Sequence, residues 1–174
     1  MKLKNIALST LLLLSSSAFA AVDCQSLVGK RHEATIIKVD DGDTATVKLQ
    51  KQGTSVRVRF FGVDTPESQW ADRWPEQPYS AEAKFFTIKQ LNNKKVTVKF
   101  TGDKTYSRCV GEIFVNGRSH SLALVNGGYA WWYAQYSPNR SDIKRAQASA
   151  KSSRKGLWMN QNAIAPWVFR RKYK

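Results

Sequence analysis

Acid is scarce in this chain: 13 Asp and Glu stand against 28 Lys and Arg, a formal charge of +15. Such an excess speaks of partners rather than of fold, and the partners are polyanions: nucleic acid, an anionic membrane surface or the like. The cations are spread over the whole sequence instead of being gathered on one amphipathic helix, which favours polynucleotide. Histidine is nearly missing, and His32 and His120 have no metal-ligand spacing, so nothing supports a zinc centre. Cysteine is limited to Cys24 and Cys109. Long apolar runs are lacking as well. The best candidate, residues 6–14, is cut off by Ser15, Ser16 and Ser17, short of the ~20 apolar residues a membrane span needs.

That short run has another reading. Lys2 and Lys4 precede it and Ala18-Phe19-Ala20 follows it, the pattern of a cleaved secretory signal. The expectation is a signal over residues 1–20, cleavage after Ala20 and a periplasmic or secreted mature chain of residues 21–174. Loss of Lys2 and Lys4 leaves +13 on 154 residues. Asp23 rather than a small residue precedes Cys24, which argues against a lipoprotein. In an oxidising compartment an even cysteine count suggests one Cys24–Cys109 disulfide, the alternative being two free thiols. The length of the chain suits one domain.

From His32 to Val115 the sequence reads as β. Strand-like runs cover 34–39, 44–49, 56–61, 95–101 and 109–115, separated by turn chemistry at Asp41-Gly42 and at 51–54. Asn116-Gly117 is a hairpin signal. Between the third and fourth runs, 78–93 reads as a helix, with Ala81, Phe85 and Ile88 expected on its inner face. Helical stretches follow at 119–133, broken by Gly127-Gly128, and at 141–155, with Ile143, Ala146 and Ala150 inward. The terminal run Arg170-Arg171-Lys172-Tyr173-Lys174 reads as a solvated, frayed end.

The stretch from Arg59 to Glu67 carries the chemistry. Val56, Val58 and Phe60 alternate with Arg57 and Arg59, giving one apolar and one cationic face. Gly62 permits a bend or a close approach, and Asp64-Thr65-Pro66-Glu67 sets two carboxylates on a turn stiffened by proline. One acid can hold a hard cation, the other can take a proton, and the arginine can face a phosphoryl oxygen. For each residue singly, a structural ion pair is the alternative.

Three motifs in order then make a pattern: Asp41-Gly42-Asp43-Thr44, Arg59 followed by Asp64-Thr65-Pro66-Glu67, and Tyr106-Ser107-Arg108. With them the chain resembles the thermonuclease, or staphylococcal-nuclease-like, family from about residue 32 to 158. The resemblance implies an α+β fold, a five-stranded OB-fold barrel with about three helices. It implies calcium held by Asp43, Asp64 and the carbonyl of Thr65. Glu67 would be the candidate general base, and Arg59 and Arg108 would neutralise the phosphoryl oxygens, Arg108 near the leaving oxygen. Tyr106, expected on the same strand face as Arg108, and Tyr136 would contact substrate. The family often shows Y-x-Y-x-P at the latter place. This chain has Ala134 where the first tyrosine falls, and Tyr133 stands one residue off. Asp40 and Asp41 suit turn formation, and Trp131, Trp132 and Trp158 suit packing.

The implied activity is hydrolysis of DNA and RNA to 3′-phosphate and 5′-hydroxyl ends by a monomer with no stable membrane association. Two alternatives stay open. One is a non-catalytic OB-fold binder of single-stranded nucleic acid; the other is a nuclease using magnesium or another divalent ion. Neighbouring strand residues point to opposite faces. If Arg108 faces the cleft, Cys109 therefore faces away, and the arm carrying Cys24 is expected to be pinned to the back of that strand.

Overall fold

A computed structural model describes residues 22–69 and 74–173. The expected signal at 1–20 and its cleavage point lie outside the described residues. Five long strands follow the alternation of the sequence: β1 (Arg31–Val39), β2 (Thr44–Leu49), β3 (Ser55–Phe60), β5 (Lys95–Thr105) and β6 (Arg108–Val115). Between them, β4 is the short Val63–Asp64, and β7 (Arg118–Ser119) and β8 (Trp131–Trp132) come later. In β3, Val56, Val58 and Phe60 are buried, while Ser55 and Arg57 are exposed and Arg59 is half-buried. The period of two has placed the apolar set inward.

The strands run β3-β2-β1-β5-β6, antiparallel throughout, and β3 then pairs β6 in parallel to close the ring. This is the five-stranded barrel of the OB-fold. The closing ladder sets Val58 opposite Cys109 and Arg59 opposite Val110. Ile36, Val47, Val58, Phe60, Val98, Phe100 and Ile113 fill the interior. Replacing a side chain as fully buried as Phe60 by alanine costs about 3–5 kcal/mol. The Asn116-Gly117 turn joins β6 to β7, with Val115 paired to Arg118 as the hairpin signal foretold.

Among the described residues four helices, one more than expected, accompany the barrel: α1 (Ser80–Leu91), α2 (His120–Asn126), α3 (Ser141–Ser152) and α4 (Pro166–Arg171). Ile143, Ala146 and Ala150 are the buried face of α3, as expected. The α1 face is different. Ser80, Ala83, Thr87 and Leu91 are buried, while Phe85 is 67% exposed. Thr87 decides this: its hydroxyl donates to the carbonyl of Gly42 at 2.7 Å and lies 3.2 Å from His120 Nε2. A buried polar side chain with partners outweighs a weak apolar stripe. The stretch after Ser119 is helical only to Asn126, and Trp131-Trp132 instead pairs with β4. The terminal run is not a frayed end through Arg171, because α4 takes in Arg170 and Arg171 and buries Phe169. Pro166 at its first position pre-sets the helical backbone.

Cys24 and Cys109 form a disulfide, with Cα atoms 5.4 Å apart, and both sulfurs lie in the core. The N-terminal arm is thereby fastened to β6 on the side away from Arg108. Among the described residues, no helix is long and apolar enough to cross a membrane.

Candidate active site

Two turns meet at the end of the barrel. The first is 40–43, ahead of β2, where Asp40 and Asp41 both donate their backbone N–H to the carbonyl of Thr44 and Asp41 Oδ1 accepts from the N–H of Asp43 at 3.0 Å. That is the turn-forming role expected of Asp40 and Asp41. The second is Asp64-Thr65-Pro66-Glu67. A Cβ on Gly42 would lie 2.7 Å from Thr65 Oγ1, so only glycine lets the turns approach. Asp43 Oδ2 accepts from Thr65 twice, from its N–H at 2.8 Å and its hydroxyl at 2.9 Å. Gly62, at φ +82°, makes the bend between Arg59 and Asp64.

The bend lets one guanidinium span both carboxylates. Arg59 Nη1 is 3.0 Å from Asp43 Oδ2 and donates to the carbonyl of Val63 at 2.8 Å; Nη2 is 2.5 Å from Asp64 Oδ1. Arg108 reaches the cluster from β6, donating to Thr44 Oγ1 at 3.1 Å, and that hydroxyl donates to Asp43 Oδ1 at 3.2 Å. Asp43, Arg59, Asp64, Glu67 and Arg108 are thus brought together from three separate motifs. Gln77 holds the backbone of Glu67, accepting its N–H at 3.0 Å.

One member of the cluster comes from where no motif pointed. Arg170 of α4 donates to Asp64 Oδ2 at 2.9 Å and, through Nη1, to Glu67 Oε1. The charge run expected to wave in solvent has a side chain inside the site. Trp167, on the same helix, stacks on Tyr133 with centroids 5.1 Å apart and planes at 10°. Gln77 Nε2 donates to the carbonyl of Ile164 at 2.7 Å, tying this segment to the Glu67 turn. The available signal was Pro166 ahead of Trp167 and Arg170, which share a helix face at a spacing of three.

Carboxylates outnumber their counter-charges here, and burial sharpens the imbalance. Burial first, and Asp43 second, push the Asp41 carboxyl up to about 7. Burial lifts Glu67 to about 7 against the pull of Arg170. It lifts Asp64 too, although Arg59 and Arg170 oppose it. Burial alone would lower the Arg59 and Arg170 guanidiniums, but the acids around them more than offset that and hold them firmly charged. Arg108, half-buried beside Arg59, is shifted downward.

Calcium wants six to eight oxygens and accepts waters among them. Among the described residues, no group of three or more His, Cys, Asp and Glu is arranged to hold a metal ion. The donor chemistry nonetheless fits a hard cation with much water. Asp43 and Asp64 are oxygen donors, and burial pushes Asp41, Asp64 and Glu67 toward the neutral form despite the arginines beside them, so added positive charge would be welcome there.

The two tyrosines expected to contact substrate are both exposed. Tyr106 is not on the strand face of Arg108 but in the turn joining β5 to β6, at φ +55° and 83% exposed. A left-handed residue between paired Thr105 and Arg108 closes the hairpin, so the Tyr106 ring leaves the sheet, though it stays 6.0 Å from the Arg108 guanidinium carbon. Tyr136 is exposed, with its ring 4.9 Å from that of Tyr133. Trp131 and Trp158 pack edge to face at 4.2 Å, in keeping with their expected structural role.

Comparisons agree with the geometry. Residues 57–160 match the family described as staphylococcal nuclease homologue. The chain is 32% identical over 115 residues to a staphylococcal-like nuclease of Arabidopsis thaliana, covering 66% of this chain and 33% of the relative. A probable staphylococcal-like nuclease of Oryza sativa is 34% identical over 115 residues, with 66% and 32% covered. An uncharacterised endonuclease of Haemophilus influenzae is 29% identical over 145 residues, with 83% and 76% covered. The chain spans about a third of the length of the plant relatives.

Proposed function

Because the chain belongs to the staphylococcal nuclease homologue family, we propose that it is a periplasmic or secreted, calcium-dependent phosphodiesterase acting on DNA and RNA. One observation carries this reading: a single arginine, Arg59, joins two carboxylates from separate motifs within reach of Glu67 and Arg108. An ion pair built only for stability would not need a second arginine and a third acid gathered beside it.

In this reading Asp43, Asp64 and the carbonyl of Thr65 hold the cation, which when bound neutralises phosphoryl charge and polarises the P–O bond. The residues do the rest. Arg59 and Arg108 face the non-bridging oxygens, where charge builds as a water oxygen bonds to phosphorus. Glu67 takes the proton of that water; burial has moved its carboxyl to about 7, where a base is half free at neutral pH and still strong enough to accept. The P–O5′ bond breaks opposite the incoming water, and Arg108 receives the charge on the leaving oxygen, which takes a proton from solvent. Tyr106 and Tyr136 offer exposed rings on which bases can stack. The formal excess of +13 left after loss of Lys2 and Lys4 draws the polyanion in.

The test is a gel assay of the mature chain on DNA and RNA with calcium, magnesium or chelator. Cleavage with calcium, lost on chelation, is expected. Binding without cleavage in every ion would leave a nucleic-acid-binding domain instead. Mass spectrometry of exported protein is expected to find Ala21 at its start, and an intact Met1 would refute export by cleavage.

A further inference from the structure

The family match ends at residue 160, yet the segment beyond it returns to the site. Three anchors bring it there. Trp167 lies against Tyr133 and, at 5.8 Å, against Trp131; Phe169 is buried; and Gln77 links the carbonyl of Ile164 to the N–H of Glu67. Arg170, one turn beyond Trp167, is then set on the carboxylates.

What it does there follows from counting acceptors. An ionised carboxylate offers about four lone-pair sites. Asp64 Oδ1 receives Arg59 at 2.5 Å and Arg170 Nη1 at 3.3 Å, and Oδ2 receives Arg170 Nη2 at 2.9 Å. Nη1 is shared with Glu67. Arg170 therefore takes two of the three occupied positions on Asp64, the carboxylate that a cation would need. Charge points the same way. At formal charge, Asp41, Asp43, Asp64 and Glu67 face Arg59, Arg108 and Arg170, a cluster one positive charge short of balance. A divalent ion arriving while Arg170 stays would make it net positive; with Arg170 gone, the cluster would be neutral.

We propose that Arg170 is a further residue of the active centre, a displaceable counterion that occupies Asp64 and Glu67 in the cation-free protein and competes with the divalent cation for Asp64. This rests on Asp43 and Asp64 being the cation ligands. The terminal helix is then a tuning part: it holds two buried acids in place until the ion enters, and it lowers the affinity for that ion. Arg170 acts through Asp64 and Glu67 and is a positioning residue.

Calorimetry of Ca2+ binding to nucleic-acid-free mature protein tests this in wild type, Arg170→Gln and Arg170→Lys, each checked for its melting temperature. Removing the charge is expected to tighten Ca2+ binding by roughly tenfold or more, and Arg170→Lys to remain near wild type. Unchanged or weaker binding by Arg170→Gln overturns the proposal. So does a lower melting temperature with wild-type affinity, the mark of a merely structural contact, and so does a lack of Ca2+ binding in both proteins. Should Arg170→Gln fail to fold, the Arg170 Nε–Hε NMR signal of the wild type, assigned by its loss in Arg170→Lys, carries the test. It is expected to move on saturation with Ca2+, and a stationary signal overturns the proposal. The nuclease reading fails separately, if wild type cleaves neither DNA nor RNA in any ion.

Discussion

Asp43 accepts both the backbone N–H and the hydroxyl of Thr65, at 2.8 and 2.9 Å, through a single oxygen. Two motifs far apart in sequence are welded at this atom. Thr65→Val keeps the shape and the N–H bond but removes the hydroxyl. It is expected to cost about 1–3 kcal/mol in urea unfolding, because a buried carboxylate loses a donor. Unchanged stability would mean that the hydroxyl bond is dispensable.

Arg59 and Arg108 are expected to fail in different ways. Arg59→Ala takes from buried Asp43 and Asp64 the guanidinium they share, leaving Asp64 to Arg170 and Asp43 to neutral donors, at about 3–5 kcal/mol of stability. Arg108 makes one hydrogen bond, to Thr44, and should be mostly a rate residue: Arg108→Ala loses about a hundred- to a thousand-fold in kcat with a nearly native melting temperature. Equal effects from both variants would remove the distinction.

Glu67→Gln is expected to lose about a hundred-fold or more in kcat while KM stays close to wild type, since a base acts only in the transition state. A rise in KM with kcat preserved would assign Glu67 to substrate binding.

His120 gives a pH signature remote from the chemistry. It is buried between Phe60 and Phe86, and burial depresses its ring to about 3 from 6.5. Below pH 6.5 the unfolded chain binds a proton that the folded chain refuses, so this contribution is whole above 6.5 and is lost as pH falls toward 3. The cost approaches about 5 kcal/mol at the acid end, at 1.36 kcal/mol per pH unit. Melting temperatures of wild type and His120→Gln should converge on acidification; parallel curves would contradict a neutral buried histidine.

Much of the barrel was legible because alternation is a local signal. Val56, Val58 and Phe60 say which way β3 faces without reference to anything else. Asp43, Asp64, Arg59, Glu67 and Arg108 were legible because turn residues fix their motifs. What stayed hidden depends on distant partners. Thr87 turned α1 through its bond to Gly42, a contact across 45 residues. Arg170 meets Asp64 across 106, and nothing in a basic terminal run marks which of its cations will be caught. Tyr106 failed differently: a one-residue excursion into left-handed backbone took it off the strand.

The parallel ladder that closes the barrel also sets when the site can exist. Arg59 and Arg108 lie on the two strands it joins, and their pairing brings together residues near 59 and 110. Contacts so remote in sequence repay their loop-closure entropy late in folding. An open barrel therefore holds the two arginines on separate, unmatched edges, with Asp43 facing only one of them. Closure and competence are a single event, and a refolding chain should regain phosphodiester cleavage in its last kinetic phase, with no partly active species before it.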